Sequence, residues 1–171
     1  KLAADDNLET LSTLMHDLVQ QHEESQRDLH AALTDLAYQK FALDQHAIVS
    51  MTDLQGNITY ANERFCDISG YSRAELLGTN HRIVHSGTHP PEVFAELWES
   101  ISHGRVWHGE ICNRKKNGSL YWVDATMVPL LGVDGLPEQY IAIRTDITVR
   151  KTFEAQLAEQ LRFVEVLLEA T

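Results

Sequence analysis

The sequence has few of the residues that covalent cross-links, metal sites and polyanion binding require. Its two cysteines, Cys66 and Cys112, have no CxxC spacing, which indicates neither a disulfide framework nor a zinc motif. Cysteine this sparse fits a reducing compartment, and we expect a cytoplasmic protein. Lysine and arginine number 14 against 25 acidic residues, and the formal net charge of −11 predicts a protein that does not bind nucleic acid.

Long apolar runs are also missing. No stretch approaches the ~18 consecutive apolar residues that a transmembrane helix needs, so we expect no membrane contact within this chain. A signal peptide is not recognisable, and a chain that begins at Lys1 is expected to be part of a longer one. No activated nucleophile, acid–base pair or phosphate loop stands out, so we expect no enzyme here. A catalytic output such as a histidine kinase or diguanylate cyclase would then lie elsewhere in the full-length protein.

The first 46 residues favour one long helix, because 2–43 contain neither glycine nor proline. A heptad seam with spacings of three and four runs through Leu8, Leu11, Met15, Leu18, His22, Ser25, Leu29, Ala32, Leu36, Gln39 and Leu43. This pattern predicts a coiled coil and a parallel homodimer. The alternative is a helix packed on its own domain, although about 40 residues at ~1.5 Å each exceed the width of a small domain.

The remaining chain has the composition of one globular domain, with 43% hydrophobic residues in the sequence as a whole. Two strand-like runs, 47–52 and 58–61, predict a hairpin, and three short helices should follow them. Asn117-Gly118 predicts a second hairpin, which we place at the centre of the sheet. A last strand is expected at 139–145. The order is two strands, three helices and three strands, an α+β fold.

One polar residue stands out in the second hairpin. Side chains alternate along a strand, so Asn113 shares a face with Trp107 and Ile111. A buried amide without a partner costs roughly 1–3 kcal/mol. The partner of Asn113 is therefore either nearby backbone or a bound ligand, and the pattern alone leaves both open.

A set of motifs resembles one known family, the PAS domains. The motifs are Asp53-Leu-Gln-Gly-Asn-Ile-Thr-Tyr-Ala-Asn62, Gly70-Tyr-Ser72, Glu75-Leu-Leu-Gly78, Lys116-Asn-Gly118 and Asp146-Ile-Thr148. The resemblance implies a five-stranded antiparallel sheet with helices over one face and a pocket between them. It implies a domain at 47–148, followed at 149–171 by a helix that leads to a further signalling domain.

A second resemblance is narrower. Asn80-His-Arg-Ile-Val84, Ser86-Gly-Thr88, Trp98, Trp107 and Asn113-Arg-Lys115 are similar to the flavin-binding PAS domains of bacterial redox and aerotaxis sensors. This implies FAD as cofactor, with Asn113 at the polar edge of its ring and Trp107 near the cofactor. The candidate cofactor-binding residues are Asn80, His81, Arg82, Thr88, Trp98, Trp107 and Asn113.

Spacing along the strand refines that expectation. Trp107 and Asn113 are six residues apart, about 20 Å at ~3.3 Å per residue, which suits an extended dinucleotide. We therefore expect Asn113 at the isoalloxazine and Trp107 toward the adenosine, with the loop 80–88 and the helix that carries Trp98 closing over them.

Two positions differ from the related light-oxygen-voltage branch. His81 stands where that branch has its reactive cysteine, so we expect no cysteinyl photochemistry. His81 either hydrogen-bonds the flavin or senses its charge, or it caps a loop. Arg144 stands where that branch has a glutamine that reads the flavin, and the sequence does not decide whether Arg144 faces the pocket.

The expected function is a sensory module that binds FAD and relays redox, oxygen or light signals through paired helices. Two alternatives stay open. One is a cofactor-free PAS module for dimerisation and relay, or for binding a small metabolite. The other is a haem-based gas sensor with an axial ligand among His81, His85, His89 and His103.

Overall fold

The structure, a computed structural model, describes residues 2–169 and their side chains from Leu8 onward. Lys1, Ala170 and Thr171, which the predicted terminal segments include, lie outside the described residues. Contacts divide the chain into a unit that ends at Ala42 and a unit that begins at Leu43.

The first unit is formed by helix α1 (Leu2–His46), whose last turn belongs to the second unit. Its heptad side chains are solvent-exposed in the single chain: Leu18 is 58% and Leu29 is 55% accessible. A row of exposed leucines along one helix is typical of a surface that packs against another helix.

The second unit contains a five-stranded antiparallel sheet. Its strands are β1 (Ile48–Thr52), β2 (Ile58–Ala61), β3 (Trp107–Arg114), β4 (Leu120–Leu131) and β5 (Pro137–Asp146). Their spatial order is β2-β1-β5-β4-β3. The resemblance to PAS domains predicted this sheet correctly.

The position expected for the second hairpin was wrong. The β3–β4 hairpin lies at one side of the sheet, where β3 is an edge strand, and β5 is central. The reason is that β5 has two neighbours. It pairs with β4, to which a short turn connects it, and it also pairs with β1, which comes from the start of the domain. Local hairpin signals do not contain this long-range pairing.

Helices and a 3-10 turn cover one face of the sheet: α2 (Glu63–Ser69), α3 (Arg73–Leu76), the 3-10 helix (His81–Val84) and α4 (Pro91–Ser102). Asn62 caps α2 and the Ser72–Glu75 capping box opens α3, as the sequence predicts. The apolar core lies between these helices and the sheet, and includes Phe65, Leu76, Val84 and Val123.

Helix α5 (Thr148–Glu169) leaves the sheet directly after β5. Its first turn is fastened to the sheet by the backbone of Trp122, whose N–H donates to Thr148 Oγ1 at 3.0 Å and whose carbonyl accepts from Ile147 N–H at 2.9 Å. Glu110 on β3 forms ion pairs with Arg150, at 2.6 Å, and with Lys151. The start of α5 is thus held by both strands of the β3–β4 hairpin, the edge strand β3 and its neighbour β4.

Candidate functional site

A cavity of about 430 Å³ lies between the sheet and its helices. This volume falls within the range of small-molecule sites, ~300–1,000 Å³. Apolar side chains from α4 and the sheet form most of its wall, among them Phe94, Leu97, Ile101, Ile111, Met127 and Ala142. The cavity is therefore suited to a mostly apolar small molecule with a few polar atoms.

The backbone conformation of Gly56 shapes one part of the cavity wall. Gly56 has φ of +83°, a conformation that side chains rarely adopt, and an added Cβ would lie 3.1 Å from the Trp98 ring. Trp98 is 39% accessible and packs edge-to-face on Tyr140, with ring centroids 5.8 Å apart. The glycine lets Trp98 close against the β1–β2 turn at the cavity wall.

The charged side chains at the cavity, Arg82 and Arg144, are both positive. The histidines His81 and His85 also line the cavity. No aspartate or glutamate is found among the lining residues that the structure describes. This contrasts with the acidic chain as a whole, which carries −11. The cavity favours a ligand with electron-rich or anionic atoms.

Arg144 is the most deeply buried charge of the site, at 1% accessibility. Its guanidinium donates to Ser50 Oγ and, at 2.9 Å, to His81 Nε2, and it lies 4.7 Å from the centre of the Phe65 ring. An arginine can only donate, so His81 accepts with Nε2 and is neutral, with its proton on Nδ1. Burial, then the Arg144 charge and His85, hold the pKa of His81 well below its usual value.

Asn113 lines the cavity at 3% accessibility and is paired in register with Tyr121 on β4. The Tyr121 hydroxyl is buried and has no hydrogen-bond partner of good geometry among residues 8–169. Burial raises the pKa of Tyr121 to about 12, against the opposing effect of the Arg144 charge, so the phenol is neutral. Asn113 therefore provides a neutral donor and acceptor at the cavity wall, whereas Tyr121 lies behind it in the core and is not a lining residue.

Five of the seven predicted site residues line the cavity: Asn80, His81, Arg82, Trp98 and Asn113. The Asn80 side chain also has structural partners. Its Oδ1 accepts from the backbone N–H of Arg82 and from Arg82 Nε, and its Nδ2 donates to the Gln55 carbonyl at 2.9 Å. Asn80 thus fixes the 3-10 turn that presents His81 to the cavity.

Trp107 and Thr88 are not among the lining residues. The Trp107 ring folds over Gly109 on its own strand, where a Cβ would lie 2.4 Å from it, and it belongs to the core cluster. Thr88 is exposed and accepts a hydrogen bond from Ser86. The expected placement of Trp107 toward an adenosine remains a prediction.

Of the four histidines considered as haem ligands, two line the cavity and two do not. His81 and His85 line the cavity, whereas His89 Nε2 accepts from the Cys112 backbone N–H at 2.7 Å, and His103 contacts the carbonyl of Glu99. No group of three or more histidine, cysteine or acidic side chains suited to a metal ion occurs within the described part of the chain.

Cys112 belongs to the other face of β3. It is buried outside the cavity lining, beside His89 and opposite Trp122. The alternation that places Asn113 at the cavity also turns the Cys112 thiol away from it.

Sequence reasoning left Arg144 undecided, and the structure places it in the cavity wall. On β5 the buried residues are Tyr140, Ala142 and Arg144, at spacings of two. Ile141 and Ile143 lie between them and are half-buried. Alternation along the strand puts Arg144 on the same face as Tyr140 and Ala142, but the sequence does not show which face of β5 meets the cavity.

A five-stranded antiparallel sheet that encloses a cavity against short helices defines an α+β module with a long helix at each end of its sequence. The comparisons with known proteins agree with this class. The family model described as PAS domain matches residues 45–149. The chain belongs to the PAS domain family, a family of sensory modules in signalling proteins.

Several relatives are similar over the same region. The nitrogen fixation regulatory protein of Klebsiella pneumoniae is 38% identical over 120 residues, 70% of this chain and 24% of that protein. The aerotaxis receptor of Escherichia coli K12 is 41% identical over 105 residues, 61% of this chain and 21% of the receptor. This chain thus spans less than a quarter of either curated relative.

Solved structures show the same fold. An RNA-binding light-oxygen-voltage receptor superposes with a TM-score of 0.66 at 27% identity, covering 77% of this chain and 38% of that one. The PAS domain of a Colwellia psychrerythraea protein gives 0.60 at 26% identity, covering 66% and 97%. Of the helices within residues 2–169, none combines the length and hydropathy needed to cross a bilayer.

Proposed function

We propose that this chain is a cytoplasmic sensory module that binds FAD in the cavity and relays a redox, oxygen or light signal to a downstream signalling domain. The observation that carries the proposal is the cavity itself, with apolar walls, Asn113 and a buried arginine whose Nε lacks a partner among residues 2–169. Its relatives include a nitrogen fixation regulatory protein and an aerotaxis receptor.

The residues present fit a flavin. A flavin ring is flat and largely apolar, and its pyrimidine edge presents carbonyl acceptors and an N–H donor. Asn113 offers both a donor and an acceptor, whereas Arg144 offers only donors. When bound, a flavin supplies reversible electron uptake, while the protein sets its potential through hydrogen bonds, charge and burial.

The relay would run through paired helices. The large apolar side chains of α1 and α5 are exposed in one chain, including Leu18, Leu29, Phe153 and Leu161. We propose that they pack against the same helices of a second copy in a parallel homodimer. We propose no catalytic activity for this chain.

An absorption spectrum tests the proposal. The purified chain is incubated separately with FAD, FMN and haemin, and is then desalted. We expect flavin bands at about one flavin per chain with FAD. Haem bands alone would favour the gas-sensor alternative, and a colourless protein would favour the cofactor-free relay; either would contradict the proposal.

Asn113 variants locate the flavin. Because Asn113 faces the cavity with a donor and an acceptor, Asn113→Ala is expected to weaken FAD binding by roughly tenfold, the value of one hydrogen bond of about 1.4 kcal/mol. Asn113→Asp keeps the shape but removes the donor. Asn117→Ala, in the exposed hairpin turn, is the matched control. Unchanged FAD affinity in both Asn113 variants would return Asn113 to a purely structural role.

A further inference from the structure

The feature that carries a further inference is the burial of Arg144. Arginine is almost never fully buried unless its charge is paired. Arg144 is 1% accessible and projects from the central strand β5 into the cavity wall. Its surroundings should therefore contain an anion.

Residues 8–169 do not provide that anion. The partners of the guanidinium are Ser50, His81 and the ring of Phe65, and all three are neutral. Each ion pair within residues 8–169 joins other residues, and no carboxylate of that range reaches Arg144. The neighbouring Tyr121 phenol is protonated at neutral pH, because burial raises its pKa to about 12.

The charge is nevertheless retained. Burial lowers the pKa of Arg144 only to about 10, so the guanidinium is protonated at neutral pH. Its Nε–H is buried and unpartnered in the described part of the chain. Arg144 thus brings an uncompensated positive charge and an unused donor to a cavity whose described lining has no acidic side chain.

We propose that Arg144 is the residue through which the cavity reads the charge of its ligand. The inference rests on the proposed binding of FAD. The oxidised ring is neutral; uptake of two electrons and one proton leaves it with a charge of −1. Arg144 stabilises that charge, so it favours the reduced ring and raises the reduction potential of the bound flavin.

His81 is the positioning residue of this pair. It holds one guanidinium nitrogen at 2.9 Å without neutralising it, because it is uncharged and has acceptor capacity only at Nε2. A carboxylate at this position would satisfy Arg144 internally and remove its preference for an anionic ligand. The neutral partner keeps the charge of Arg144 available to the cavity.

The position of Arg144 also connects the ligand to the output helix. Arg144 lies four residues before Thr148, where α5 begins, on a strand that pairs with both β1 and β4. A change in the force on its guanidinium is applied to the central strand of the sheet.

The test is the reduction potential of bound FAD in the wild-type chain and in Arg144→Gln, Arg144→Lys and Arg105→Gln. Dithionite supplies the electrons, and an indicator dye of known potential reports the equilibrium. Arg105→Gln makes the same change in net charge at an exposed position. We expect Arg144→Gln to bind the reduced flavin at least about tenfold less favourably relative to the oxidised flavin, which lowers the reduction potential by about 30 mV for a two-electron couple. The potential of Arg144→Lys should lie between those of the wild-type chain and Arg144→Gln.

A pH profile adds a readout that a structural role would not change. With one proton taken up per two electrons, the wild-type potential should fall by about 30 mV per pH unit. Arg144→Gln should show a steeper slope near neutral pH, because a second proton then replaces the lost positive charge.

The outcomes separate the two proposals. If Arg144→Gln binds FAD with the potential and slope of Arg105→Gln, the inference about Arg144 is overturned while FAD binding stands. If the wild-type chain binds no flavin, both fail. If Arg144→Gln binds flavin too weakly to titrate, the unfolding of the flavin-free wild-type and Arg144→Gln proteins in denaturant tests the inference instead. A higher denaturant midpoint for Arg144→Gln would support an uncompensated charge, and a lower midpoint would make Arg144 a structural residue and overturn the inference.

Discussion

At the scale of single residues, the site depends on buried polar groups kept neutral beside a buried charge. His81 stacks on Phe65, with ring centroids 5.4 Å apart, and faces the cavity. Protonation at Nε2 would remove its capacity to accept from Arg144 and would place two positive charges 2.9 Å apart. The folded protein therefore resists protonation of His81.

This resistance predicts a pH dependence of stability. Histidine has a usual pKa of 6.5, and burial holds the pKa of His81 well below it. As the pH falls below 6.5, the unfolded chain takes up a proton that the folded chain does not, so the free energy of unfolding decreases. Above 6.5 neither state is protonated and stability is unaffected. The slope is at most about 1.4 kcal/mol per pH unit for one proton.

Urea unfolding of the flavin-free protein between pH 7.5 and 5 checks this prediction. His81→Gln keeps an acceptor for Arg144 and should have a shallower loss of stability on acidification. Some slope should remain, because burial and then the Arg82 charge also lower the pKa of His85. His16→Gln, on the exposed surface of α1, is the control and should match the wild-type protein. Equal slopes in all three proteins would contradict a His81 that stays neutral in the folded protein.

At the scale of elements, the sequence predicted most of the fold but not the centre of its sheet. Hairpin turns, caps and helix periodicity are local signals, and they predicted the elements in their correct order. The pairing of β1 with β5 joins residues about ninety positions apart, for which no local signal exists. The same limit applies to Arg144, whose neighbours Ser50 and His81 come from distant segments.

Another local expectation was also incomplete. Alternation along β3 correctly separated Asn113 from Cys112, because period two is fixed by the backbone. It could not show that the Trp107 ring folds back over Gly109, since the space above a glycine depends on tertiary packing. Rotamers and loop contacts, such as that of His89 with Cys112, are determined only by the assembled fold.

The start of α5 gives a prediction at this scale. Glu110 forms ion pairs with Arg150 and Lys151, and these two bases lower its pKa, with Lys151 acting most strongly. Glu110→Gln removes both ion pairs while the Trp122–Thr148 hydrogen bond remains. We expect faster hydrogen exchange at the Lys151 amide, which donates to the Ile147 carbonyl in the first turn.

Glu96→Gln, at an exposed position of α4, is the matched control for this experiment. High salt should also speed hydrogen exchange at the Lys151 amide of the wild-type chain, as Glu110→Gln does, because salt screens exposed ion pairs. Exchange at Lys151 that is the same in Glu110→Gln and Glu96→Gln would mean that the backbone of Trp122 alone fastens the helix.

At the scale of the whole molecule, the exposed heptad leucines of α1 form the surface through which we propose that two copies pair. We expect the chain to be a dimer at micromolar concentration, and Leu18→Glu together with Leu29→Glu to yield a monomer by light scattering, because charges at seam positions are desolvated in a coiled coil. Glu9→Gln with Glu23→Gln, off the seam, is the control. A monomeric wild-type chain would contradict the dimer.

We propose above that the cavity between the sheet and its helices holds a flavin. The most direct measurement is a titration of FAD fluorescence with the wild-type chain and with Ala142→Phe, which fills the cavity from β5. Ala125→Ser, a small change at a buried β4 residue outside the lining, controls for altered packing. We predict saturable quenching at one FAD per chain, retained by Ala125→Ser and lost by a folded Ala142→Phe. Quenching that survives in Ala142→Phe, or is absent from the wild-type chain, would contradict the account.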